Sequence, residues 1–344
     1  MGIAESSPGL VPVGRHQAQK GAILDQLCPH PMTLEASEAC CHRLAGVLFP
    51  WDITRALELA LLKTFCVPSI SALLAHTGEF EQRPRKRYDD TGLMVAELLR
   101  HGLDSAPGAA VIARMNRIHG HYAITNDDFL YVLSSFVAEP IRWLERYGWR
   151  GLTNEERDHL FRFWQAAGER MGITAIPSSL DALLALNERV EQETFRYAAS
   201  NQRIAEATLG MLLADWPAPL RPLLRRVLQS LLANEVAGSL GWPAAPGALQ
   251  RAELLALRSR SRIAGGWLAL RQRLGGEPSP RFYSMHPTAS YGRCFAHEQL
   301  GLTWTPETEP ALMRASLPAR IGQEKPHESQ TPQPRADHPQ VADR

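Results

Sequence analysis

The sequence predicts an all-α protein, a single mostly helical domain followed by a disordered C-terminal tail. Three observations predict it. Leu, Ala, Arg and Glu are abundant while Val, Ile and Thr are sparse. Alternating apolar and polar runs of the kind a half-buried strand needs are hard to find. Apolar residues recur instead at helical spacing in one segment after another. With 344 residues, 44% of them apolar, the chain is long enough to bury a large core. Residues 1–20, rich in Gly, Pro and Ser, read as a flexible N-terminus and residues 21–304 as the helical domain. In residues 305–344 Pro, Glu, Gln, Arg and His replace the large apolar groups, a composition that cannot offset the entropy of ordering.

The elements follow in order. The most apolar stretch, residues 56–75, is interrupted by Glu58, Lys63 and Pro68. That is too broken for the roughly 20 clean apolar residues of a membrane span, and it reads as two core helices, with a membrane-surface role as the alternative. Asn126, Asp127 and Asp128 precede a stripe of Phe129, Leu133, Phe136 and Val137 that faces a core until Pro140 stops or kinks the helix. Thr153 with Glu156, and Ser178 with Asp181, match the capping pattern in which a hydroxyl and a carboxylate satisfy orphan amides. Between these two starts Leu160, Phe161, Phe163, Trp164, Ala167 and Met171 keep helical spacing, closed by Gly172 and Pro177. Later runs cover residues 183–211, 220–240 and 252–274, separated by Pro- and Gly-rich breaks.

Composition also excludes function classes. Lys and Arg number 37 against 36 Asp and Glu, a net charge of +1, so no global field gathers nucleic acid or an anionic membrane surface. No apolar leader follows Arg15 and His16. The five cysteines (Cys28, Cys40, Cys41, Cys66, Cys294) lack metal-site spacing, and the adjacent Cys40 and Cys41 make a poor staple. A reducing, cytoplasmic setting is therefore expected. P-loop, dinucleotide-binding, zinc-protease and Gly-x-Ser-x-Gly signatures are missing. A di-iron bundle needs two Glu-x-x-His helices. Glu156 and His159 supply one, but Glu324 and His327 lie in the tail, so Glu156 reads as a cap and His159 as an exposed helix residue. Glu97 reads as a surface carboxylate, with an acid or base role as the alternative. The run Arg83-Pro-Arg85-Lys86-Arg87 reads as a solvated loop with neighbouring acids, with contact to an anionic group as the alternative.

The densest polar segment is Arg114-Met-Asn116-Arg117-Ile-His119-Gly-His121-Tyr122. Arg114, Arg117 and His121 share a helix face, while His119 lies elsewhere on the turn unless Gly120 ends the helix. Such a face suits an anionic cofactor, since guanidinium groups grip carboxylates in two-pronged fashion and an imidazole ligates metals or moves protons. A solvated face with histidines as turn caps is the bland alternative.

Here the chain resembles the MpaB-like oxygenases and, more remotely, the catalytic domain of the rubber oxygenases or latex-clearing proteins. The matching stretches are Phe49-Pro-Trp, Lys63-Thr-Phe-Cys-Val-Pro-Ser-Ile-Ser71, Leu73-Leu-Ala-His-Thr-Gly-Glu-Phe80, Lys86-Arg-Tyr-Asp-Asp-Thr91, Arg114-Met-Asn-Arg-Ile-His-Gly120, Ile124-Thr-Asn-Asp-Asp128, Glu139-Pro140, Tyr147-Gly-Trp-Arg150 and Met171-Gly-Ile173. They run in family order over residues 49–245. The resemblance implies an all-helical oxygenase that uses O2 and haem b to oxidise or cleave an apolar, isoprenoid-like small molecule. It implies His119 as iron ligand and catalytic imidazole, with His121 second. Arg117 takes a distal catalytic position, because Arg114-x-x-Arg117 is the nearest match to an Arg-x-x-Lys pattern. Arg114, Arg117, Arg150 and His121 are the cofactor-binding candidates, and Phe129, Leu133 and Phe136 would line an apolar slot. One departure stands out. Distant relatives read aromatic-Val-His where this chain reads Tyr131-Val132-Leu133. The rivals are a non-catalytic helical protein that binds a lipid-like ligand and an oxygenase without haem.

Overall fold

The computed structural model describes residues 32–276, 278–292 and 294–301. Among the described residues there are thirteen α-helices and no strand. In chain order they are Leu34–Arg43 (α1), Pro50–Thr64 (α2), Pro68–Thr77 (α3), Glu79–Gln82 (α4), Pro84–His101 (α5), Ala106–His119 (α6), Asn126–Tyr147 (α7), Asn154–Arg170 (α8), Leu180–Thr194 (α9), Ala199–Ala214 (α10), Arg221–Ser230 (α11), Asn234–Ser239 (α12) and Gly247–Arg273 (α13). The all-α expectation holds. The segments expected to be flexible, 1–20, and disordered, 305–344, lie outside the described residues.

Local chemistry sets the helix ends. At Thr153 the full capping box forms, with Glu156 reaching back to the Thr153 amide at 2.9 Å. The same helix closes on Gly172 in the left-handed region (φ 75°), where Ile173 N–H donates to the Gly168 carbonyl and Gly172 N–H to that of Glu169. This double bond across a glycine satisfies two carbonyls that the helix end leaves open. Residues 56–75 do divide into α2 and α3, bent by 95° at the break, and no single described helix is long and apolar enough to cross a membrane.

The longest core helix, α7, packs against α2, α8, α9 and α13. Its inward side joins a core shared with α1, α2, α5, α6 and α8. A second cluster of Phe65, Phe80, Ile204, Leu209, Leu213, Leu232, Val236 and Trp242 sits beneath α3, α4 and α10–α12.

Several expectations are corrected. Pro140 does not stop its helix: α7 runs on to Tyr147, because buried residues on both sides of the proline outweigh a cost of about 3 kcal/mol. The cap of α9 is Ser179 rather than Ser178, and Thr125 caps α7 just before the Asn126-Asp-Asp run. The run 183–211 divides at Phe195, whose ring leaves the helix to meet Tyr131 edge-on. His159 is fully buried, with Nδ1 3.0 Å from Ser37 Oγ. Glu97 is buried too, within 3.3 Å of His297 Nε2. Cys40 is disulfide-bonded, while Cys41, Cys66 and Cys294 are free thiols.

Candidate functional site

Pro84 opens α5, its fixed φ suiting the first helical position. The basic run after it therefore winds into a helix instead of forming the solvated loop expected from its charge. Helical winding makes Arg87 and Thr91 neighbours four residues apart, and Arg87 Nη1 donates to Thr91 Oγ1. The guanidinium lies 5.2 Å from the centre of the Phe80 ring. Desolvation lowers its pKa, opposed by the nearby Asp90 and Glu79 carboxylates.

Gly120 caps α6, and His119, still a helical residue at the last position, keeps the helical spacing that sets it off the face shared by Arg114 and Arg117. The imidazole meets Phe129 of the first turn of α7 edge-on, with ring centres 5.2 Å apart. Its Nδ1 is shut off from solvent and has no hydrogen-bond partner. Burial first, and the Arg87 guanidinium second, depress the imidazole pKa to about 4. His119 is thus neutral at pH 7 and keeps a lone pair. Tyr122, in the turn after α6, likewise has a buried hydroxyl without a partner. Burial and then Glu79 raise its pKa, while Arg87 acts the other way.

The remaining candidates lie around this centre or away from it. Arg117 is exposed, and its carbonyl accepts from His121 Nδ1 at 2.6 Å. Arg114 donates from Nε to the Leu300 carbonyl at 2.8 Å, its pKa lowered by burial and then by Arg117. Arg150 is engaged elsewhere. Both of its terminal nitrogens bond Glu156, at 2.6 and 2.7 Å, and its guanidinium lies over Phe49 and Trp149. Of the expected apolar slot only Phe129 meets His119. Leu133 approaches Gly168, and Phe136 stacks on Trp164 at 4.6 Å. Among the described residues no three His, Cys, Asp or Glu side chains converge to hold a metal ion. An iron at His119 would draw its other donors from a bound group.

Sequence reasoning left Arg87 in a basic run with anion contact only as the alternative, and gave Tyr122 no role. Arg87 lies 32 positions before His119, and the only local signal was the proline that starts its helix. A second polar centre was also missed. Lys63 Nζ and Arg142 Nη1 each bond both Glu139 Oε1 and Glu191 Oε1, at 2.7–2.9 Å. This quartet lines a cavity of about 510 Å3 whose apolar wall includes Trp143, Tyr147 and Phe195.

Fold and site define an all-α protein in which a partly buried imidazole, guanidinium and phenol lie beside the Phe80 and Phe129 rings. The chain belongs to the family described as ER-bound oxygenase mpaB/B'/rubber oxygenase, catalytic domain, whose model matches residues 53–320. It is an oxygenase, and the non-catalytic alternative is set aside. It is 27% identical over 210 residues to the ER-bound oxygenase mpaB of Penicillium roqueforti (strain FM164), covering 56% of this chain and 70% of that one. To the ER-bound oxygenase mpaB' of Penicillium brevicompactum it is 28% identical over 210 residues, 56% of this chain and 50% of the relative. Against mpaB of Penicillium brevicompactum it is 31% identical over 150 residues, 42% of this chain and 38% of that one. Among solved structures, the closed state of latex clearing protein LCP is similar at 17% identity and a TM-score of 0.48, covering 74% of this chain and 80% of that one.

Proposed function

We propose that this oxygenase is haem-dependent, holding haem b through His119 and using O2 to oxidise or cleave an apolar, isoprenoid-like small molecule. The observation that carries the reading is the His119 imidazole: held neutral, shielded and unpartnered at Nδ1, and set beside Phe129 and Arg87. Iron takes a neutral imidazole nitrogen, and a haem carries propionates that need cationic partners. Arg87 is the first such partner, with Arg114 and Arg117 on the preceding turns of α6 and His121 after it. Arg150, committed to Glu156, has no part in this reading.

When bound, the haem would supply the activation of O2. The chain's own residues bind, orient and exclude water. Phe80 and Phe129 wall the centre with rings, which disfavours water and suits an alkene. Arg87 is held in place by Thr91 and by the Phe80 face, so its charge meets an anionic group without a large loss of side-chain freedom. The Tyr122 hydroxyl offers a proton at Oη beside it.

The test is stoichiometry and turnover. Protein from haem-replete cells should contain haem by pyridine haemochrome assay, and should consume O2 with an isoprenoid alkene while forming an oxygenated product seen by mass spectrometry. His119→Ala should lose the haem. Retention of full haem content by that variant would refute the ligand, and turnover by haem-free protein would refute the cofactor.

A further inference from the structure

The last long helix, α13, is apolar on two opposite sides. Leu254, Leu257 and Leu268 pack against the core, Ser261 is fully buried, and Gly265 sits so close to Trp149 that a Cβ there would lie 2.8 Å from its ring. The opposite side carries Ile263, Trp267, Leu270 and Leu274, spaced by four, three and four residues into one stripe. These side chains are 62%, 68%, 47% and 78% exposed. A helix apolar all round belongs in an interior, so half of this one is seated and the other half has no cover among the described residues.

Charge indicates the cover. Residues 254–276 contain no Asp or Glu, whereas Arg262 and Arg273 border the stripe on one side and Arg271 on the other. All three are exposed, and none has an ion pair among the described residues. Arg260, nearer the core, is already taken by Asp52 at 2.9 Å and lies over Trp51. A second copy docking on this stripe about a two-fold axis would bring arginine border toward arginine border, a like-charge arrangement that opposes it. A bilayer surface with anionic headgroups meets every requirement: acyl chains for the stripe, an interfacial position for Trp267, and phosphates or carboxylates for arginines that reach outward past the apolar residues.

We propose that the outer face of α13 is a docking surface for anionic lipid bilayers, on which the protein lies without spanning. The experiment is co-sedimentation of the full-length protein with vesicles of phosphatidylcholine alone or of phosphatidylcholine mixed with phosphatidylserine. Wild type should pellet with the mixed vesicles, stay in solution with phosphatidylcholine alone, and be released by salt. The double variant Trp267→Glu/Leu270→Glu should lose binding. In Arg262→Gln/Arg271→Gln/Arg273→Gln partitioning should fall about fivefold for each arginine removed. All these side chains point into solvent, and circular dichroism verifies that each variant is folded. Wild type remaining in solution with mixed vesicles would overturn the proposal, and so would variants that pellet like wild type. A soluble dimer that dissociates in the double variant would assign the face to a second copy instead.

Discussion

Lys63 is only 9% exposed, in a place where an unpaired ammonium would be costly. Glu139 and Glu191 both bond its Nζ, and Arg142 completes the quartet by bonding the same two oxygens. Lys63→Met should therefore destabilise the protein by about 3 kcal/mol, since Glu139 would keep one cation where it had two. Urea denaturation reads this as a lowered midpoint, and no change would show that Arg142 alone compensates. Little of this was legible in the sequence, because Lys63 meets carboxylates 76 and 128 positions away. Partners within one turn were legible: the box of Thr153 and Glu156 is written in four consecutive residues. His119 could be singled out by its segment. Its neutral state could not, because Phe129 and Arg87 come from other helices.

At the scale of the element, glycines separate tight helix packing from open surface. A Cβ on Gly108, in the first turn of α6, would lie 1.9 Å from the backbone oxygen of Gly102. Backbone cannot step aside as a side chain tip can, so Gly108→Ala should cost about 3 kcal/mol. Gly210 sits within α10 with nothing within 4 Å of a built Cβ, and Gly210→Ala should stabilise by about 0.5–1 kcal/mol. Thermal melts of the pair should move in opposite directions. The joint of α11 and α13 supplies a pH prediction. Glu253 is buried and accepts from Ser230 Oγ at 2.8 Å. Burial raises its pKa from 4.5 to about 7, with the Ser230 bond and Arg146 opposing. Between those values the folded state binds the proton more tightly than the unfolded chain, so this group's contribution falls as pH rises through the window and levels off above it. Glu253→Gln should remove that fall and so gain stability at about pH 8 relative to about pH 5. An unchanged slope in denaturation midpoints across the window would contradict it. Helix existence was readable from periodicity in α2, α3 and α7–α13 but not in α1 or the start of α5, and helix continuity was not readable. Tertiary burial carried α7 through Pro140, and the contact of Phe195 with Tyr131 divided a run that reads as unbroken.

In the whole molecule α7 joins two polar centres. Phe129 in its first turn faces His119, while Glu139 and Arg142 hold the charged quartet about 15 Å further along the axis. The quartet ties α2, α7 and α9 together, which fixes the helix that presents Phe129 to the imidazole. Separating the two centres places the stabilising ion pairs away from the position where an apolar substrate would meet a prosthetic group. The central claim is that His119, kept neutral and unpartnered by this packing, is the iron ligand of a haem oxygenase. Its most direct test is the absorption spectrum of the purified full-length protein from haem-replete cells, taken beside that of His119→Ala. A Soret band in the wild type that is lost in the variant is the predicted result. A wild type without a Soret band, or a variant that keeps the same band, would contradict it.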